Sequence, residues 1–145
     1  MEPLFTLNKS INILARLSQV WDALTRPELI KEYFFGTECI TDWKKGSQII
    51  FKGVWDGKPY TDKGNILAIK EREFILYNYW SSFSGTEDVP ENYSVIRYEL
   101  ESGENSTKVT VMQEGFKTEE SLEHSEKNWG FVLEGLKKLL EKSGM

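Results

Sequence analysis

Apolar residues recur every three or four positions through the stretch EESLEHSEKNWGFVLEGLKKLLEK, from Glu119 to Lys142. Leu122, Trp129, Val132, Leu133, Leu136, Leu139 and Leu140 share one stripe of an α-helix, while Glu123, Glu126, Lys127, Glu134, Lys137 and Lys138 lie off it. No proline interrupts the stretch, Thr118 with Glu120 and Ser121 supplies a capping region, and Ser143-Gly144 supplies a stop. Acids gather near the positive end of the helix dipole and lysines near the other. At ~1.5 Å per residue such a helix is about 35 Å long, enough to cross a small domain. A stripe of that length needs a broad apolar partner, which predicts a sheet beneath it.

The rest of the chain supplies the strands. Phe5, Leu7, Lys9, Ile11 and Ile13 alternate with Thr6, Asn8, Ser10 and Asn12, the pattern of a half-buried first strand. Ser18 as cap predicts a short helix through Val20, Trp21, Ala23 and Leu24. Pro27 interrupts it and opens a second helix through Leu29, Ile30, Tyr33 and Phe34, ended by Gly36. Two short helices joined at a proline make a bent V. A second strand is predicted from Glu38 to Trp43, with Lys44-Lys45-Gly46 as its turn, and a third from Ser47 to Trp55. Asp56-Gly57-Lys58-Pro59 is a turn, Asp-Gly being its strongest part. Tyr60 to Lys70 and Glu73 to Trp80 follow as strands. Ser81 to Asn92 is a polar loop, and Tyr93 to Glu101 with Ser106 to Gln113 forms a last hairpin. Consecutive strands with short turns predict an α+β fold with a curved antiparallel sheet of about six or seven strands.

Alternation of charge assigns the faces. Arg97 and Glu99 point one way, so Ile96, Tyr98 and Leu100 point the other; Lys108 and Thr110 alternate with Val109, Val111 and Gln113. Phe51, Tyr77, Tyr79, Tyr98, Val111 and Gln113 are assigned to the concave side, and a one-residue bulge would reverse any of these.

With 145 residues the chain is read as one domain, 1–145, that buries about two-thirds of its unfolded surface. A net charge of −5 argues against a nucleic-acid backbone and an anionic membrane surface as partners. No apolar run reaches the roughly 18 residues of a membrane span, and no signal-peptide pattern opens the chain. The lone Cys39 has no internal disulfide partner, and these features together predict a soluble, cytoplasmic protein.

Aromatic residues make up 13% of the chain, and their positions change the picture. Phe34, Phe51, Trp55, Tyr77, Tyr79, Tyr98 and Trp129, with Leu133 on the helix stripe, converge between helix and sheet. Rigid rings leave irregular space, and tyrosine hydroxyls set isolated polar groups on apolar walls, the make-up of a small-molecule site. The competing reading is that the same rings fill the core. Gln113, on an otherwise apolar strand face, is suited to hydrogen-bond a ligand, or else it faces water at a strand end. His124, the one histidine, sits among Glu123, Ser125 and Glu126 as a solvated helix residue, and no metal-ligand spacing accompanies it. Cys39 with His124 lacks an orienting third group, so Cys39 is read as a buried strand residue. Gly53, Gly57 and Gly64 match no phosphate-binding spacing and read as turns and strand kinks. Glu87, Asp88 and Glu91 around Pro90 form a solvated loop, with a lid as the alternative. No catalytic set, cofactor site or metal site is predicted, and no carboxylate or histidine is placed on the concave face.

Ile11-Asn12-Ile13, Val20 to Thr25, Pro27-Glu28-Leu29 and Tyr33-Phe34 resemble the opening of START-like (SRPBCC) proteins. Asp42-Trp43 with Gly46, Gly64, Tyr98-Glu99-Leu100, and Trp129, Leu133, Leu136 and Lys137 narrow the resemblance. They point to the AHSA-type branch, related to the C-terminal domain of the activator of a heat-shock chaperone ATPase. The resemblance covers nearly the whole chain and implies a helix-grip fold. It also implies one of three roles. The first is binding of a lipid, polyketide or aromatic molecule in a hydrophobic cavity. The second is contact with a chaperone ATPase, in the setting of a stress response. The third is cyclase- or hydratase-like chemistry drawing on tyrosines and Gln113. The aromatic concave face without a catalytic set ranks binding of a hydrophobic small molecule first, by a monomer or weak homodimer.

Overall fold

The computed structural model describes residues 5–81, 86–116 and 118–143, without the side chains of Trp55 and Ser143. Seven antiparallel strands form one sheet: β1 (Phe5–Ile13), β2 (Glu38–Ile40), β3 (Gln48–Trp55), β4 (Lys58–Lys70), β5 (Phe74–Tyr79), β6 (Ser94–Ser102) and β7 (Thr107–Phe116). Their order across the sheet is β1-β7-β6-β5-β4-β3-β2, so only β1 joins out of sequence, closing beside β7. The bent V is α1 (Leu17–Thr25) and α2 (Pro27–Tyr33), and α3 (Glu119–Ser143) lies against the concave face. This is the helix-grip fold.

The long helix forms where the period of 3.6 places it. Trp129, Val132, Leu133, Leu136 and Leu140 are buried, with Leu122 and Leu139 packed at the margin. Thr118 caps it, its Oγ1 accepting the Ser121 N–H at 3.1 Å. Lys137 and Glu141 tie the far end to the chain entering α1: Lys137 Nζ donates to Asn12 O at 3.2 Å, and Glu141 Oε2 accepts the Leu14 N–H at 2.9 Å. The expected stop residue Gly144 lies outside the described residues.

Two local expectations give way. The first short helix begins from Arg16 rather than Ser18, because Gln19 reaches back and its Oε1 accepts the Arg16 N–H at 3.0 Å. The second strand ends at Ile40 instead of Trp43, since Trp43 takes a φ of +60° that no strand can continue through. The Asp56-Gly57 turn forms as predicted, with both φ values positive at +53° and +77° and Trp55 paired to Lys58.

Strand β4 is the long diagonal of the sheet. Gln48 to Trp55 pair with its first half and Phe74 to Tyr77 with its second, with a bulge between Ile66 and Ala68. At Gly64 the backbone of β5 comes so close that the Asn78 side chain enters the ladder, its Oδ1 accepting the Asn65 N–H at 2.6 Å. The face assignments hold: Phe51, Tyr77, Tyr98, Val111 and Gln113 are buried on the concave side, with Tyr79 partly so.

Candidate functional site

Five aromatic rings from three strands and two helical segments close a circuit under the long helix. Phe34 stacks on Phe51 (centroids 6.1 Å apart), Phe51 meets Tyr77 (6.0 Å), Tyr77 stacks on Tyr98 (6.5 Å), Tyr98 meets the edge of Trp129 (5.7 Å), and Trp129 returns to Phe34 (6.0 Å). Strand alternation puts Phe51, Tyr77 and Tyr98 on one face, and the helix stripe brings Trp129 down onto them. Phe34 arrives from the end of α2. Offset and edge-on pairs at these separations each add a modest attraction beyond the area they bury.

Beside this circuit, between the sheet and the bent V, lies a cavity of about 20 Å³, room for about one water molecule. Phe34, Phe51, Tyr77 and Tyr98 line it together with Leu24, Ile30, Tyr33, Cys39, Trp43, Ile49 and Ile75. The wall is apolar apart from three hydroxyls, the indole of Trp43 and one thiol. The Tyr33 hydroxyl donates to Ala23 O at 2.7 Å. Tyr77 and Tyr98 are 3% and 7% exposed, and among the described residues neither hydroxyl has a hydrogen-bond partner. No buried side-chain oxygen or nitrogen among the described residues is sealed off without a partner, so these two hydroxyls reach open space. Both residues line the cavity.

Burial keeps this set neutral. It pushes the Tyr33, Tyr77 and Tyr98 hydroxyls above their usual 10.0, and it pushes the Cys39 thiol up to about 12. A neutral thiol is a poor nucleophile, and exposed His124 on the helix surface gives it no base. The raised values also predict alkaline instability. A folded state that holds a proton more tightly than the unfolded chain is fully stabilised below the unfolded pKa and loses that stability as pH rises. The window opens near 9.0 for Cys39 and runs to about 12, with the tyrosines joining above 10.0. Urea midpoints should therefore stay level to about pH 9 and then fall, each group contributing about 1.4 kcal/mol per pH unit. Midpoints that remain level to about pH 11 would contradict the burial of these groups.

The concave face does carry one carboxylate, contrary to the sequence expectation. Asp62 is 7% exposed and lies opposite Phe51 in the ladder, where its Oδ2 accepts the Tyr79 hydroxyl at 2.6 Å. Burial, and then Asp62, hold the Tyr79 hydroxyl well above its usual range. Asp62 alternates with Gly64 and Ile66 on the inner side of β4, so strand periodicity carried the signal. A charged residue in that pattern reads more readily as a solvent-facing position.

The candidate residues divide accordingly. Phe34, Phe51, Tyr77 and Tyr98 both close the aromatic circuit and line the cavity. Trp129 closes the circuit from above, and Tyr79 packs on Phe51 at 5.8 Å. Gln113 is 7% exposed and engaged within the fold: its Oε1 accepts the Trp129 indole N–H at 2.8 Å, and its Nε2 donates to Ser94 Oγ at 3.0 Å. Leu133 lies in a separate open groove of about 400 Å³ between β1 and α3, with Lys9, Ile11, Lys127 and Phe131. The Trp55 side chain lies outside the described residues. Trp43 and Tyr33, which the aromatic reading left out, both line the cavity. The described part of the acidic loop is tied down: Asp88 pairs with Lys63 and accepts the Tyr93 hydroxyl at 2.5 Å.

Among the described residues the cavity wall holds no carboxylate and no imidazole, and no group of three or more His, Cys, Asp or Glu gathers to hold a metal. The wall is apolar, with two tyrosine hydroxyls that have no partner among the described residues. No helix among the described residues is long and apolar enough to cross a membrane.

A family profile described as Activator of Hsp90 ATPase homolog 1-like protein matches residues 14–141. A Cytophaga hutchinsonii protein solved in solution is 45% identical, with a TM-score of 0.84 over 98% of this chain and 97% of that one. DynU16, from the dynemicin biosynthetic locus, is 15% identical, with a TM-score of 0.80 over 98% of this chain and 49% of that one. The Aha1 dimer from Colwellia psychrerythraea is 21% identical, with a TM-score of 0.75 over 94% and 96%. At such identities the last two share the fold and no more. Among curated proteins, none matches the chain.

Proposed function

The chain belongs to the Activator of Hsp90 ATPase homolog 1-like family, and on that premise we propose that it binds a small apolar or amphipathic molecule between sheet and C-terminal helix. The observation that carries this reading is the pair of Tyr77 and Tyr98 hydroxyls, which have no partner among the described residues, on an otherwise apolar cavity wall. Two hydroxyls that keep a proton beside an apolar wall suit a guest that is apolar and carries an acceptor. The guest class is lipid, polyketide or aromatic; a structural neighbour from the dynemicin biosynthetic locus fits that class. At about 20 Å³ the cavity is smaller than any such guest, so binding requires the rings that line it to part. Trp43, on the cavity wall, holds a left-handed φ of +60°, a strain of the kind found at ligand clamps.

Native mass spectrometry and thermal shift against a panel of lipids and planar polyketides test the reading. A guest present at about 100 times its dissociation constant adds ~2.7 kcal/mol, which raises the melting temperature by about 8 °C. A panel that yields neither an adduct nor a shift overturns it. A second reading, contact with a chaperone ATPase, is favoured by the family and by exposed Ile40 and Val54 on the outer sheet face. It would appear as a changed ATPase rate of the cognate chaperone without any guest.

A further inference from the structure

Resting on the ligand-binding reading above, we infer that the cavity takes guests bearing an uncharged hydrogen-bond acceptor, gripped by both the Tyr77 and Tyr98 hydroxyls, and turns anions away. Counting protons leads there. The Tyr33 hydroxyl proton is committed to Ala23 O, and the Tyr79 proton to Asp62. Of the three tyrosines that line the cavity, Tyr77 and Tyr98 keep a proton to give. Both residues line the same space of about 20 Å³ and their rings stack 6.5 Å apart, so the proposed guest seats one acceptor atom between the two hydroxyls. One oxygen with two lone pairs can accept from both, which describes a water when no guest is bound and a ketone, ester or amide carbonyl when one is. Burial holds both hydroxyls protonated, so they stay donors across the physiological range.

Exclusion of anions follows from the rest of the wall. No lysine, arginine or histidine lines the cavity among the described residues. A carboxylate drawn in would lose its water and find two neutral donors with no cation, a poor exchange. The rings supply the remaining affinity. A planar guest can lie along Phe34 and Phe51, which already stack on one another with planes 19° apart.

Three one-ring probes that differ at one substituent test this: acetophenone, ethylbenzene and benzoate, titrated by NMR into the wild type and into Tyr77→Phe, Tyr98→Phe and the double variant. Acetophenone should bind the wild type about tenfold tighter than ethylbenzene, the gain of two neutral hydrogen bonds. Each single variant should remove part of that gap. The double variant should abolish it by weakening acetophenone alone, and benzoate should show no saturable shift. The phenylalanine variants should melt no lower than the wild type, because the deleted hydroxyls have no partner among the described residues. Equal binding of acetophenone and ethylbenzene, or benzoate binding as well as the ketone, overturns this inference and leaves the ligand-binding reading standing. A double variant that melts well below the wild type also overturns it, since the hydroxyls would then be bonded within the fold. Failure of every probe in the wild type, alongside an empty lipid and polyketide panel, overturns both.

Discussion

Gly64→Ala is expected to abolish the folded sheet. A Cβ at this position would stand 1.7 Å from the backbone oxygen of Asn78 and 2.7 Å from its carbonyl carbon, both far inside van der Waals contact. Neither atom can swing aside. Asn78 is paired to Val95 on β6, and its own side chain holds the Asn65 N–H. Relief requires prying β4 from β5 in the middle of the seven-strand order. Overpacking against side chains typically costs about 1–3 kcal/mol, and a backbone that cannot repack costs more. A loss of at least ~4 kcal/mol is expected, a large part of a total of about 5–15 kcal/mol. The variant should accumulate in inclusion bodies or melt far below the wild type by circular dichroism. Gly57→Ala is the control: its added Cβ meets open space, and only its φ of +77° penalises it, by about 1 kcal/mol. Equal melting temperatures for Gly64→Ala and the wild type would refute the close approach.

Trp129→Ala is the second large effect, for two reasons that separate experimentally. Removing a buried indole costs about 3–5 kcal/mol in transfer and cavity terms. It also opens the aromatic circuit at Phe34 and Tyr98 and strips Gln113 Oε1 of its buried donor. Trp129→Phe isolates the second reason, because it keeps much of the ring and still orphans the amide oxygen, at about 1–3 kcal/mol. Changing both partners, Trp129→Phe with Gln113→Leu, should cost less than the two single changes added together. The shortfall, read by urea unfolding, measures their coupling at about 1 kcal/mol or more. Strict additivity would mean that the indole–amide bond holds nothing together. The same pair explains why Gln113 tolerates burial on an apolar strand face: the helix brings it a proton.

Much of this was legible along the chain. The stripe from Leu122 to Leu140 sets a long amphipathic helix, because a 3.6-residue period is a property of one segment and needs no knowledge of its neighbours. The alternation at Ile96, Tyr98, Val109 and Val111 assigns the buried sides of β6 and β7 by the same local logic. Asp56-Gly57 specifies its turn, since both positions need positive φ and these two residues tolerate it. By itself, then, the sequence determined the elements, their order, the inner faces and the aromatic character of the space between them.

What the tertiary structure alone decided is who meets whom. That Gly64 must be a glycine follows from where β5 crosses it, and that Asp62 can lie inside follows from the Tyr79 hydroxyl that meets it there. Gln113 faces an indole, Arg16 takes a cap from Gln19, and five rings close a circuit instead of scattering. The size of the cavity belongs to the same class. It is the small remainder left when side chains from both short helices, four strands and a turn pack to near crystal density, and no periodicity along one chain segment encodes a remainder of that kind.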